Sequence, residues 1–346
     1  MIDRALADGW EHRRACSYLE LEESRAWRWR RRRDAGCCLE DERPGGNPVH
    51  GLRPEEVTAI LELFERWGDV DRSHRKLAHR GSYTHTVWVS PATVRRVLAA
   101  HGLHLKRPRR VRSERRPFPE WASYTRNSIW IYDVTHFAGL PKIAVFAVMD
   151  LVTRKWIAEL VSVEETSTQV QAVFLDALET EGLLELVEAR QDTVAADTFP
   201  FDADVEPLPP VLLAVSDNGP QMTSGTTREF MAMCAIAQHF GRPGTPTDQA
   251  WIESLFGHVK ADWPHLDRIR DPAVLRAELA DVRHQYNTIR LHAGIGYVTP
   301  ADEHQGRGPR IRAARKRGLR QARWDRIIYH RIQHAKANRR SRADAA

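Results

Sequence analysis

The sequence predicts an α/β sheet flanked by helices, preceded by all-α helix-turn-helix units. Three observations carry this reading. The middle of the chain holds apolar runs of strand length broken by turns, and the first hundred residues show helical periodicity with clear helix starts. Charge is also partitioned along the chain in step with that division.

The helical part opens with residues 1–40. Trp10, Cys16, Tyr18, Leu19 and Leu21 mark a first helix, and Ser24 is placed to cap a second through Trp27 and Trp29. Helix, short turn and basic helix form a helix-turn-helix pattern, which makes Arg28 and Arg30 candidate DNA contacts. The plainer reading is a solvated basic helix. Residues 41–52, with Pro44-Gly45-Gly46-Asn47-Pro48, read as a linker.

A second helix-turn-helix or winged-helix-like unit is expected over 53–104. Pro54 opens a helix with Val57, Ile60, Leu61, Phe64 and Trp67 on one face, and a short helix over 72–79 follows. Ser90-Pro91 starts a third, with serine as N-cap and proline pre-setting the first turn. It turns Val94, Val97 and Leu98 inward and leaves Thr93, Arg95 and Arg96 outward, as a recognition helix would. Residues 105–122 form a basic connector, with seven Lys/Arg in the eleven positions from Lys106 to Arg116. Pro108 and Pro117 discourage a helix there, so Lys106, Arg107, Arg109 and Arg110 are read as lying along phosphates.

In the centre, strands are expected over 129–133, 144–150, 156–161 and 211–217, with helices over 167–183, 226–237 and 248–262. The order βββαβαβα implies a sheet covered by helices. The acidic, proline-containing stretch 187–210 reads as an exposed insertion, and 304–346 as a basic, partly helical tail.

Composition narrows the function. Residues 1–116 carry 25 Lys/Arg against 17 Asp/Glu, and 306–346 carry 14 against 2. The chain total is only +6, so the remaining middle stands at −14. Basic flanks suit a polyanion and an acidic centre suits cations. No apolar run approaches a membrane span and no secretory h-region follows the start, so neither is expected. The four cysteines (Cys16, Cys37, Cys38 and Cys234) form no CxxC, which fits a reducing cytoplasm.

Asp133 and Asp217 each follow a buried-type strand, where a lone carboxylate is costly. Asp217-Asn218-Gly219-Pro220 makes a tight turn that leaves the carboxylate at the strand's C-terminal end, where open α/β sheets place sites. Glu253 sits on a helix whose Ile252, Leu255 and Phe256 can pack, and Lys260 lies two turns further along the same face.

With these motifs the sequence resembles the OrfB-type insertion-sequence transposases that share the retroviral-integrase (DDE) core. The resemblance rests on Trp130-Ile131-Tyr132-Asp133-Val134-Thr135, Ser216-Asp217-Asn218-Gly219-Pro220 and Asp248-Gln249-Ala250-Trp251-Ile252-Glu253-Ser254. Thirty-five residues separate Asp217 from Glu253, the spacing typical of that group. Tyr286-Asn287-Thr288-Ile289-Arg290 and Gly296-Tyr297-Val298-Thr299-Pro300 match its closing motif, with Gln249 and Leu291 as departures.

The resemblance implies an RNase H-like catalytic core over 123–303, a five-stranded mixed sheet in which the first and fourth strands lie side by side. It implies Asp133, Asp217 and Glu253 as the catalytic, metal-binding triad, with Lys260 contacting DNA. Two Mg²⁺ ions (Mn²⁺ as a substitute) would lie roughly 4 Å apart and drive phosphodiester transfer. It also implies transposon terminal inverted repeats and target DNA as partners, and a homo-oligomer on DNA.

Other polar residues in these segments have plainer roles. Asp150 is expected to pair locally with Arg154, Asp248 to cap a helix and His136 to be structural. Adjacent Cys37 and Cys38 chelate poorly, so a zinc module with His12 and Cys16 is rejected. The competing functions are a non-catalytic DNA-binding protein, either a repressor or a decayed transposase, and an RNase H-like nuclease.

Overall fold

The computed structural model describes residues 1–36, 49–103, 105, 118–119, 122–137, 142–196, 209–241 and 250–343. The chain divides into two compact units, one of Met1–Gly51 with Ile327–Ala346 and one of Leu52–Arg326.

In the first unit, α1 (Ile2–Ala7), α2 (His12–Tyr18) and α3 (Glu23–Asp34) bury Ala15, Cys16 and Ala26. The N-cap of α3 is Glu22, not Ser24. Glu22 holds the extended conformation, and the Ser24 hydroxyl donates to its carboxylate at 2.5 Å instead of capping.

In the second unit, α4 (Pro54–Trp67), α5 (His74–Tyr83) and α6 (Pro91–Ala100) enclose Ile60, Leu63, Leu77, Val94, Val97 and Leu98. The buried stripe of α4 runs through Ile60 and Leu63, while Val57, Leu61, Phe64 and Trp67 are only partly covered. Helix α5 begins after and outlasts its expected 72–79, because Ser73 accepts the Lys76 N–H at 3.2 Å as its N-cap. A Cβ at Gly81 would lie 2.8 Å from Val87 Cγ1, so glycine lets the chain pack closely there. Helix α6 starts at Ser90-Pro91 as the sequence predicts, with Ser90 accepting the Thr93 N–H at 3.1 Å.

Five strands follow: β1 (Ile129–Phe137), β2 (Ile143–Asp150), β3 (Trp156–Ser162), β4 (Leu212–Ser216) and β5 (Ile236–Phe240). Their order is β3-β2-β1-β4-β5. Strands β1, β2 and β3 run antiparallel in sequence, and β4 and β5 continue the sheet parallel to β1. The remaining helices are α7 (Ser167–Thr180), α8 (Leu184–Ala196), α9 (Pro220–Thr223), α10 (Gly225–Met233), α11 (Ala250–Asp262), α12 (Pro272–Thr288), α13 (Pro300–His304) and α14 (Gly308–Ala343). A mixed sheet in this order with helices on both faces is the RNase H-like arrangement.

Alternation along the strands sorts the core. Ile129 and Ile131 of β1 join Leu213 and Val215 of β4 against Ile252, Leu255 and Val259 of α11 and Leu275, Leu279 and Val282 of α12. Trp130 and Tyr132 join Leu212 and Ala214 against Val170, Val173 and Phe174 of α7 and Met231 of α10. In and after the sheet, several element bounds differ from the sequence expectations. Strand β1 runs four residues past Asp133, paired with β2 to Phe137↔Ile143. The segment from 187 is not all insertion, since α8 reaches Ala196 and buries Val187. The expected helix 226–237 stops at Met233, and Cys234-Ala235 turn the chain into β5 beside β4. The C-terminal stretch is one 36-residue helix rather than a partly helical tail.

Helix α12 also finishes the outer edge of β3. Asn287 accepts the Trp156 N–H at 2.9 Å and donates to the Trp156 carbonyl at 2.8 Å. Arg283 donates to the Ile157 carbonyl and Arg276, at 3.5 Å, to that of Val161. Asp150, fully buried, is held by the N–H groups of Asn127 and Val152, and its ion pair is with His304 at 3.4 Å. The expected local link to Arg154 runs through the backbone, where the Arg154 N–H donates to the Asp150 carbonyl at 2.8 Å. His304 also meets Glu181 at 2.7 Å, and Lys155 meets Glu181 at 2.6 Å.

Phe174, with ring centroids 4.8 Å from Tyr132 and 6.1 Å from Trp130, is fully buried. Phe174→Ala should cost about 3–5 kcal/mol in denaturant unfolding, while Leu175→Ala on the exposed side should stay within about 1 kcal/mol.

The ion network around His304 makes stability depend on pH. Burial opposes charge on both His304 and Glu181, yet their hydrogen bonds outweigh it, raising His304 and lowering Glu181 to about 2. The His304 contribution is complete below its unfolded pKa of 6.5 and fades as pH rises through the raised folded value. That of Glu181 is present above 4.5 and fades as pH falls towards 2. The Tm difference between wild type and His304→Gln should therefore peak between pH 4.5 and 6.5 and narrow on both sides. A flat difference across the wider range would contradict the ion network.

Candidate active site and nucleic-acid interface

The two aspartates meet through strand register. β1 and β4 pair in parallel as Ile129↔Leu213, Trp130↔Ala214 and Ile131↔Val215. Two further residues bring Asp133 opposite Asp217 as β4 ends, on strands roughly 4.8 Å apart. Both continue the series of odd-numbered side chains that faces α11. Asp133 lies within β1 rather than at its end, so its placement comes from the end of β4 beside it.

The turn after β4 fixes Asp217. Its Oδ1 accepts the Gly219 N–H at 2.9 Å, and a Cβ on Gly219 would lie only 3.0 Å from that oxygen. Asn218 donates to the Gly241 carbonyl at 2.8 Å, tying the turn to the end of β5. Asp133 accepts the Val134 N–H at 2.8 Å. Burial, and then the charges of Asp217, Glu253 and Glu165, push the Asp133 carboxyl up to about 7 despite that hydrogen bond. Glu253 stands exposed in the first turn of α11, its carboxyl raised by partial burial.

Helix α11 is anchored at both flanks. Ile252, Leu255 and Phe256 pack on the sheet as the sequence predicts, and Val259 joins them. Lys260 donates to the His136 carbonyl at 3.0 Å and lies 5.1 Å from the centroid of Phe137, which pins α11 to the strand bearing Asp133. At the end of the helix, Asp262 takes Arg290 at 2.5 Å and Arg72 at 3.3 Å.

Glu165 is the functional neighbour that sequence reasoning missed. It bonds His136 at 2.8 Å through one oxygen and accepts from Gln221 at 3.0 Å through the other. This bridges the end of β1 to the helix after Asp217. Its only sequence signal is the pair Glu164-Glu165 just ahead of the capped helix α7.

The oxygen donors suit a hard cation, and the crowded carboxylates around Asp133 are the environment that a divalent ion relieves. Among the described residues, however, no three His, Cys, Asp or Glu side chains are gathered closely enough to form a ready metal cage. The zinc reading rejected above has only Cys16 beside His12 among the described residues, at 3.8 Å; Cys37 and Cys38 lie outside them.

Of the DNA-contact candidates, Arg95 and Arg96 are exposed on α6, and the Thr93 hydroxyl lies 2.9 Å from that of Ser90. Arg28 is exposed on α3, but Arg30 is paired with Asp3 at 3.3 Å. Lys106, Arg107, Arg109, Arg110 and Asp248 lie outside the described residues.

Fold and site together define an integrase-type core. Residues 123–246 match one family model described as an integrase core domain, and 234–300 match a second of the same description. The chain thus carries an integrase core domain over residues 123–300, and relatives of parts of it come from insertion sequences. It is 34% identical over 86 residues to an uncharacterized 39.2 kDa protein of insertion element IS476 from Xanthomonas euvesicatoria, 25% of each chain. To the transposase for IS904 from Lactococcus lactis subsp. lactis (strain IL1403) it is 27% identical over 113 residues, 32% of this chain and 45% of that one. The matches thus span less than half the length of these curated relatives.

Among solved structures, the simian T-cell lymphotropic virus intasome is similar at TM-score 0.38 and 17% identity, over 66% of this chain and 73% of that one. The BIV integrase catalytic core is similar at TM-score 0.35 and 19% identity, over 52% and 95%. The HTLV-2 integrase core in complex with magnesium follows at 0.36 and 20%, over 52% and 97%. The fold assignment rests on the strand order, not on these scores.

Proposed function

We propose that the chain is a metal-dependent transposase that cuts the ends of its element and joins the freed 3′-hydroxyl to another phosphodiester. The observation that carries this is the register alignment of Asp133 with Asp217 on the face covered by the Glu253 helix, within an integrase core. Asp133, Asp217 and Glu253 would hold Mg²⁺, or Mn²⁺ in its place, as two ions. When bound, these supply an activated oxygen nucleophile and stabilise the leaving oxygen. The protein's own groups set the geometry. The turn at Gly219 holds Asp217, Lys260 holds α11 against β1, and Glu165 links His136 to Gln221. Lys260 spends one donor on the His136 carbonyl, which leaves two N–H donors for a DNA phosphate.

In this reading, Thr93, Arg95 and Arg96 read the terminal inverted repeats, while Arg28 and the 105–122 connector hold backbone. Target DNA then enters at the triad. Two ends must be brought together, which calls for a homo-oligomer on DNA, and the work lies in the cytoplasm with the nucleoid. No helix among the described residues is long and apolar enough to cross a membrane. One observation favours a second reading, a non-catalytic DNA-binding protein: the lack of a preformed cage among the described residues.

The full chain incubated with Mg²⁺ and duplexes carrying the element's ends should nick and join them, and Glu253→Gln should abolish both while binding DNA normally. Tight binding with no cleavage by wild type would establish the non-catalytic reading, and equal cleavage of unrelated duplexes would establish a nuclease. Metal loading has its own readout. At a hundredfold excess over Kd, Mn²⁺ should stabilise wild type by about 2.7 kcal/mol, and Asp133→Asn should lose that gain. Arg95→Ala with Arg96→Ala should weaken end binding more than random-duplex binding, since base contacts carry the difference.

A further inference from the structure

Between α5 and α6 lies an open groove of about 910 Å³. The start of α5 supplies Arg75 and Lys76 to one wall, with Arg72 just ahead of them, and α6 supplies Arg95 and Arg96 to the other. Tyr297, from the closing segment of the integrase core, lines it too. No carboxylate is among the described residues that line it. Arg72 is engaged by Asp262, but the side chains of Arg75, Lys76, Arg95 and Arg96 make no ion pair among the described residues. Four cations sharing one concavity repel each other, and a polyanion is what relieves them.

Two further observations describe these walls. Burial, and then the nearby charge of Arg290, push the Lys76 ammonium down to about 8 against the opposing charges of Asp71 and Asp262. Tyr297 is held at φ +61, a conformation that bulky residues adopt only under constraint. The His292 carbonyl accepts its N–H at 2.9 Å and its ring stacks on His79 at 4.1 Å, which keeps the groove's lining rigid.

We propose that this groove seats a phosphodiester backbone, with Arg75 and Lys76 as its phosphate contacts opposite the base-reading Arg95 and Arg96. The proposal rests on the reading of the chain as a protein that acts on DNA. It assigns binding to a helix start that the recognition-helix pattern passes over. It also places the bound strand against a residue of the integrase core, so end recognition and the core share one DNA path. A free phosphate would need one or two of these cations, whereas a backbone uses cations from successive segments.

The test uses the full chain and a fluorescein-labelled random-sequence duplex, with anisotropy followed across a salt series. Neutralising one cation that holds a phosphate should lower the slope of log K against log salt by about 0.9, so Arg75→Ala with Lys76→Met should lower it by about 1.8. Arg75→Lys with Lys76→Arg, which keeps both charges, should restore the slope. An unchanged slope in the neutralised pair would overturn the seat. A reduced slope in the charge-keeping pair as well would overturn it by revealing a packing effect. Tighter Arg75-dependent binding of polyglutamate than of duplex would replace DNA with an acidic polypeptide. Should wild type still cleave element ends while the neutralised pair keeps its slope, only the seat is wrong. Failure of wild type to bind any duplex would remove seat and transposase reading together.

Discussion

The pairing of β1 with β4 is the constraint on which the rest depends. Three parallel pairs, Ile129↔Leu213 to Ile131↔Val215, set a register in which Asp133 and Asp217 fall opposite each other. A slip of one residue would send Asp133 to the α7 face and bring Tyr132 or Val134 into its place. The register is therefore guarded by the apolar residues beneath it, because a slip would also exchange the buried faces of β1. The placement of the two aspartates and the packing of the core are specified by the same alternation.

Around this pair the molecule separates its charges. Carboxylates crowd at the end of β4, where desolvation and mutual repulsion oppose ionisation of Asp133. Basic side chains line the groove between α5 and α6, where burial, and then the charge of Arg290, lower the Lys76 ammonium to about 8. Asp262 connects the two regions, since it caps the Glu253 helix with ion pairs to Arg290 of the closing motif and Arg72 of the helical unit. The segregation first visible as net charge along the sequence recurs as an acidic and a basic region within the Leu52–Arg326 unit.

Much of this was legible in the residues. Ser90-Pro91 announced its helix because capping is local chemistry, and the inward set Val94, Val97 and Leu98 followed from periodicity. The packing face of α11 was legible for the same reason. Features decided by distant partners were not. β1 continues past Asp133 because β2 offers hydrogen bonds as far as Ile143, which no local propensity reveals. β5 forms because β4 lies beside it, although the segment reads as the end of a helix. The Asp150 carboxylate found its ion-pair partner in His304, far along the chain. Glu165 belongs to the same class, since its partners His136 and Gln221 are distant in sequence.

The side chains that α12 lays along β3 have a consequence for how copies of this chain can associate. An edge strand normally offers its free N–H and C=O groups as a template for another strand. Here Asn287 occupies both polar groups of Trp156, and two arginines occupy carbonyls further along. The sheet is thereby capped on that side against growth by strand addition. The closing motif, read in the sequence as a signature, thus supplies through Asn287 part of a seal on the β3 edge.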